Sequence, residues 1–244
     1  CKMKQDMKIP PNMLDEYSMS GKVKIEYSYR DDSSIEIQNE INQNYTERVF
    51  LDSCERINRH EFNYYGSTDL FLYNALSDFS ICNKDVCVIG STHPWYETMC
   101  LNYGAKFVTV IEYSKRKSFN DRIIYTQPDI EFNKKFDICL SISSFEHDGL
   151  GRYGDPLNPN GDIEAMQKMK SILKPGGLMF LAVPIGIDTL WFNVHRIYGA
   201  NRFYHLINGW NILKDYGFKE NSFNLTINNG ESTNYQPVTV LSNA

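Results

Sequence analysis

Apolar and polar positions change rhythm twice along the chain. Residues 1–45 are polar and weakly patterned, and Ile9-Pro10-Pro11 cannot sit inside a helix. They predict an irregular arm with one short strand over Val23–Tyr27. Between residues 46 and 80, Val49, Phe50, Cys54 and Ile57 recur at helical spacing. Ser67 is placed to cap a second helix that buries Leu70, Tyr73, Leu76 and Phe79. From Asp85 onward, short apolar runs alternate with helix-length segments. The runs are Val86–Ile89, Phe107–Ile111, Ile123–Tyr125, Asp137–Ile142 and Leu178–Val183. Asp162 is read as the cap of a helix with Ile163, Met166, Met169, Ile172 and Leu173 inward, stopped by Lys174-Pro175-Gly176-Gly177. A last helix is expected near Arg202–Tyr216, and a closing hairpin from Phe223–Ile227 and Val238–Leu241. Such alternation implies right-handed crossovers and an α/β, doubly wound, Rossmann-like sheet of about seven strands with an antiparallel last pair. No linker divides residues 46–244, which read as one domain following the arm.

The 244 residues, 42% hydrophobic and 14% aromatic, are enough for such a core. A net charge of -5 argues against a nucleic-acid backbone as partner, since phosphate binding needs clustered Lys and Arg. The cysteines show no C-x-x-C spacing, so neither a metal site nor a disulfide framework is expected. No apolar run is long enough to span a bilayer. The chain opens at Cys1 rather than Met, as expected of a fragment or a processed form, which leaves a removed signal or anchor open.

Candidate chemistry gathers at the carboxyl ends of the apolar runs, where open α/β sheets bind ligands. The first run ends in Gly90-Ser91-Thr92-His93-Pro94. Gly90 allows a ligand close to the backbone, although G-x-G-x-x-G is missing. A nucleoside without a pyrophosphate makes smaller demands on this turn. Glu112 ends the second run, where a carboxylate can accept hydrogen bonds from both ribose hydroxyls. Asp129 falls between the third and fourth runs, either beside a base ring or in a plain Pro-Asp turn. The fourth run passes through Ser143 into Glu146, His147, Asp148, Arg152, Tyr153 and Asp155, interleaved with Gly149, Gly151 and Gly154. Packing alone does not need that chemistry. Asp155 and Asp162 read first as loop and cap residues. A metal at His147, Asp148 and Asp155 is chemically permitted but has no second shell in the sequence to support it.

Taken together, the Gly90 turn, Glu112, FDICLSISSFEH and LKPGGLMFLAVP resemble a class I S-adenosylmethionine-dependent methyltransferase. GSTHPWYE, IEY, SSFEHDGLGRYGDPLNPNGD and FNVHRIYG are more closely similar to a nematode-type family catalogued as a domain of unknown function, number two hundred and sixty-eight. The resemblance covers roughly residues 66–215. It implies S-adenosylmethionine lined by Gly90, Ser91, Glu112, Ser143 and Asp129. It also implies methyl transfer to a small-molecule or glycan acceptor. His147 and His195 stand as candidate bases, since an oxygen or nitrogen acceptor calls for a base near neutral pH. Glu146 or Asp148 would orient the imidazole, and Arg152 and Tyr153 would hold an anionic or hydroxylated acceptor. Two alternatives stand beside it: a methyltransferase-like binding module without turnover, which the shortened glycine turn allows, and a dinucleotide-dependent oxidoreductase, which the missing G-x-G-x-x-G weakens.

Overall fold

The computed structural model describes residues 8–128, 135–229 and 235–243. Its main sheet has seven strands in the order β4-β3-β2-β5-β6-β10-β9. These are β2 (Asp85–Ile89), β3 (Phe107–Ile111), β4 (Ile123–Thr126), β5 (Phe136–Ile142), β6 (Leu173–Ala182), β9 (Trp210–Tyr216) and β10 (Val238–Asn243). β2 to β6 run parallel, and β10 lies antiparallel between β6 and β9. The expected doubly wound sheet with an antiparallel last pair is therefore present.

The central strands are apolar along their length because both faces are covered. Val86, Val88, Ile138 and Leu140 face one layer, with Leu72, Leu76, Trp95 and Met99 from α4 (Ser67–Asp78) and α5 (Trp95–Asn102), and Ile57 from α3 (Glu47–Asn58). Cys87, Cys139, Met179 and Leu181 face the other, with Met166, Met169 and Ile172 from α6 (Gly161–Ile172) and Phe203 and Leu206 from α7 (Ala200–Leu206). The buried cysteines serve as small apolar side chains. The strand order reverses at β2, with β3 on one side and β5 on the other, so a crevice opens at their carboxyl ends.

Several local expectations are corrected. The arm is not irregular throughout. Besides the expected strand, β1 (Lys24–Tyr27), it carries α1 (Leu14–Tyr17) and α2 (Ile35–Asn42). β1 pairs parallel with β7 (Thr189–Phe192), which pairs antiparallel with β8 (His195–Ile197). Ile9, Tyr17 and Val23 pack there on Leu150, Leu190 and Phe192. Ser67 does not cap α4; Gly66 stands at that position, and Leu70 is exposed while Leu72 and Ala75 are buried. The helix expected to reach Tyr216 stops at Leu206, because Gly209 (φ 73) turns the chain into edge strand β9. β10 closes on β9 and not on Phe223–Ile227, where Phe223 sits in a short 3-10 turn against Phe203 and Phe218.

Candidate functional site

The first turn is shaped by a steric demand. Gly90 has φ +71, and a Cβ there would lie 2.6 Å from Ser144 Oγ at the end of β5. Only glycine fits, so β2 and β5 approach closely under the crevice. The Ser91 N–H donates to Glu112 Oε2 at 2.8 Å, and the Ser114 N–H reaches Glu112 Oε1 at 3.3 Å. A carboxylate has roughly four lone-pair positions, so Glu112 keeps acceptor capacity toward the cleft.

β5 ends in a second forced turn. Ser143 takes φ +53 while its N–H still bonds the Ala182 carbonyl at 2.9 Å. Phe145–His147 then form one turn of 3-10 helix. Glu146 is 1% exposed, and burial raises its carboxyl to about 7, against the lowering effect of the Ser143 hydroxyl that donates to Oε1. His147 Nδ1 lies 2.6 Å from the Val194 carbonyl, an acceptor only, so Nδ1 carries the hydrogen. Arg152 Nη1, 3.3 Å from the same nitrogen, therefore faces another donor and makes no true bond to it. Burial first, then the Arg152 charge, hold the imidazole well below its usual range. His147 Nε2 is thus an unprotonated lone pair, 3.5 Å from Glu146 Oε1. Burial pushes the neighbouring Asp148 carboxyl well above its usual range, opposed chiefly by Arg196.

Arg152 is committed elsewhere. Its Nε and Nη2 each stand 2.6 Å from Asp32 Oδ2 on the arm, and its guanidinium lies 5.0 Å over the Tyr153 ring. Burial raises the Tyr153 phenol, whose ring meets His147 edge-on at 5.6 Å. His195, on β8, is 4% exposed with its ring 6.3 Å from that of His147. Burial, then Arg152 and Arg30, lower it to about 4.

One cavity of about 920 Å³ takes in Gly90, Ser91, Glu112, Ser143, Glu146, His147, Asp148, Arg152, Tyr153 and His195. The crevice thus gathers every sequence candidate except Asp129, which lies outside the described residues; Pro128 reaches its edge. Among the described residues no group of three His, Cys, Asp or Glu is arranged to hold a metal ion.

Residues 83–241 match the family model described as "Caenorhabditis protein of unknown function, DUF268". The chain belongs to this family. No curated protein matches it. Two solved structures are similar to this DUF268 chain in fold. One is the 1,6-didemethyltoxoflavin-N1-methyltransferase of Burkholderia thailandensis, with 1,6-didemethyltoxoflavin and S-adenosylhomocysteine bound. It is 12% identical, with 73% of this chain and 77% of that one covered and a TM-score of 0.53. The other is the N-methyltransferase NodS of Bradyrhizobium japonicum with S-adenosylhomocysteine, 14% identical, covering 87% and 99%, with a TM-score of 0.53.

The DUF268 loop after β5 is held by residues that pattern reading missed. Asp162 is no cap: Asn160 takes that position without a side-chain bond, and Asp162 is fully buried. It accepts from Arg202 Nε at 3.0 Å and Nη2, and from the Tyr198 hydroxyl at 3.0 Å, with Arg196 Nε 3.7 Å away. Arg196 also donates to the Asp148 carbonyl at 2.7 Å, and Arg202 to that of Pro159 at 2.6 Å. Asp155 accepts the N–H groups of Gly151 and Tyr153, as a turn residue. Asp32, Tyr45 and Tyr65 also carry polar contacts at the site and stand in no motif, whereas Glu97, which bonds Ser91, closes the quoted GSTHPWYE. The available signals were the quoted motifs themselves, with Glu97 in GSTHPWYE, Asp162 at the end of SSFEHDGLGRYGDPLNPNGD, and Arg196 and Tyr198 in FNVHRIYG.

Proposed function

We propose that the crevice binds S-adenosylmethionine and that the protein transfers its methyl group to a small-molecule or glycan acceptor. One observation carries this reading: Glu112, with acceptor capacity to spare, borders a turn where a single added Cβ would collide with Ser144. That donor set suits a ribose diol beside a tightly approached backbone. The residues assigned to the cofactor are Gly90, Ser91, Glu112 and Ser143. When bound, the sulfonium supplies an electrophilic methyl carbon. The fold shared with two methyltransferases solved with S-adenosylhomocysteine supports the same reading.

For the acceptor we assign His147 as base. Its Nδ1–H is fixed on Val194, which leaves Nε2 to accept a proton from an acceptor hydroxyl or amine. Tyr153 and His195 wall this end of the cavity. Arg152, neutralised by Asp32, is assigned to positioning the Tyr153 ring and not to clamping an anion. A second reading, binding without turnover, draws on His147, which burial and the Arg152 charge make a weaker proton acceptor than a free imidazole.

Calorimetry with S-adenosylmethionine, S-adenosylhomocysteine and NAD tests the proposal. Both sulfur compounds should bind and NAD should not. A folded protein that binds neither sulfur compound refutes the methyl-transfer reading; binding of NAD alone favours an oxidoreductase. Binding with no methyl transfer to any acceptor in a native extract favours the silent module.

A further inference from the structure

The first turn lacks the glycines that usually shape a cofactor loop, yet the structure holds it through an unusual buried acid. Glu97, on α5, is fully buried. Its Oε1 meets the Ser91 hydroxyl at 2.8 Å and the Tyr125 hydroxyl at 2.9 Å. Ser91 Oγ also stands 2.8 Å from the Tyr45 hydroxyl and 3.1 Å from the His93 carbonyl, and Tyr45 donates to the Ser91 carbonyl at 2.7 Å. The Ser91 N–H in turn fixes Glu112. One serine therefore joins the turn, the acid at the end of β3, the acid on α5 and the arm.

We propose that Glu97 is a positioning residue that acts through Ser91 to hold the Gly90–His93 turn and Glu112 in the shape that receives the methyl donor. The inference rests on the cofactor reading above.

Two observations separate this from ordinary packing. Glu97 Oε2 is buried without a partner. A buried carboxyl with an orphaned oxygen is worse for stability than an apolar side chain of similar size, so stability does not explain it. The second is the count of hydrogens. Ser91 has one to give, and both Glu97 Oε1 and the His93 carbonyl lie within its reach. A neutral Glu97 donates to Ser91 Oγ and leaves the serine hydrogen for His93, so Glu97, Ser91 and the His93 carbonyl are bonded in series. Burial supports that state by raising Glu97 to about 7, opposed by the residue's own backbone N–H and by the bonds from Ser91 and Tyr125, with the nearby Glu112 charge adding a little to the rise. Tyr45, Tyr125, Cys100 and Glu112 face the carboxyl from the arm, β4, α5 and β3, and Arg116 faces Tyr45.

The test uses the full chain with S-adenosylhomocysteine as probe, in calorimetry on wild type, Glu97→Gln, Glu97→Leu and Ser91→Ala. Amide hydrogen exchange of residues 90–93 is followed without ligand in the same proteins. With its Nε2 in the place of Oε1, Gln can donate one N–H to Ser91 Oγ and the other to the Tyr125 oxygen, so Glu97→Gln should bind within about threefold of wild type. Glu97→Leu and Ser91→Ala should bind about tenfold more weakly, with faster exchange at the turn and unchanged exchange in β5 and β6. A folded Glu97→Leu that binds and exchanges like wild type overturns the proposal, as does Glu97→Gln failing as badly as Leu. Wild type that does not bind the probe overturns the cofactor reading instead, and the exchange data still decide whether Glu97 holds the turn.

Discussion

Glu146 makes a stability prediction whose sign and size can be worked through. Its carboxyl is buried beside His147, faces the charges of Arg152 and Arg196, and accepts from Ser143. Burial raises it from 4.5 to about 7. In the unfolded chain it ionises at its ordinary value. Below about pH 4.5 the group is neutral in both states and costs nothing. As pH rises, the unfolded chain releases this proton while the folded one keeps it. Stability therefore drains away up to about pH 7, by about 3 kcal/mol. His147 and His195 act in the opposite direction. Their lowered values remove stability as pH falls through the ordinary histidine range, because only the unfolded chain then takes up protons. The two effects blur in wild type alone, so the measurement is a difference. Glu146→Gln keeps a neutral polar group of the same shape, and both histidines remain. Urea unfolding followed by tryptophan fluorescence, from about pH 4.5 to about pH 7.5, should show Glu146→Gln gaining on wild type by about 3 kcal/mol across that window. A difference that stays flat with pH would mean that Glu146 ionises in the usual carboxylate range, and the neutral-acid description of the site would fail.

Other perturbations separate the roles assigned above. Glu112→Ala should weaken S-adenosylhomocysteine binding by about tenfold or more, whereas His147→Ala should spare binding and lower turnover by about a hundredfold or more; calorimetry and a methyl-transfer assay read the two, and equal loss of binding in both refutes the division. Gly149→Ala should destabilise by several kcal/mol in urea titrations, because φ is +77 and the new Cβ would overlap the Asn158 carbonyl. Arg202→Met removes the closest partner of fully buried Asp162 and should cost about 3–5 kcal/mol, measured the same way; a loss under about 1 kcal/mol would show that Tyr198 and Arg196 suffice for the acid.

The sheet was legible because its signal is local. Val86, Val88, Ile138 and Leu140 lie in strands covered on both faces, so each announces itself as an apolar run bounded by turn residues. Gly90, Glu112 and the Glu146-His147-Asp148 run stand at strand ends, where topology alone brings them together. The arm's helices, and the partner of its expected strand, were illegible for the opposite reason. No α2 residue is buried, Ile35 is exposed, and β1 is stabilised by pairing with β7, far along the chain. β9 carries only Trp210 and Tyr216 buried, so its polar middle mimicked a helix. Asp162 looked like a cap because capping is the local use of an acid before a helix. Its actual partners, Tyr198, Arg196 and Arg202, follow only after β6 and β7.

The loop after β5 was first legible as a crowd of polar residues, and the structure divides that crowd by what each group is bonded to. Its backbone carbonyls are turned toward fixed donors. Asp148 and Pro159 take Arg196 and Arg202, and Gly149 takes the Tyr17 hydroxyl at 2.6 Å. Asp155 gathers the N–H groups of Gly151 and Tyr153. With the main chain satisfied from behind, the side chains of Glu146, His147, Asp148 and Tyr153 do not have to serve the loop and are left at the cavity wall. Arginine suits this work, since its fork reaches several carbonyls at once without titrating. The arm reinforces both ends of the cleft by the same logic, with Tyr17 and Asp32 on the acceptor side and Tyr45 on the first turn. A site held so firmly from outside its reacting groups needs little rearrangement when a ligand arrives, which is the condition under which fixed dipoles and one neutral imidazole act most strongly.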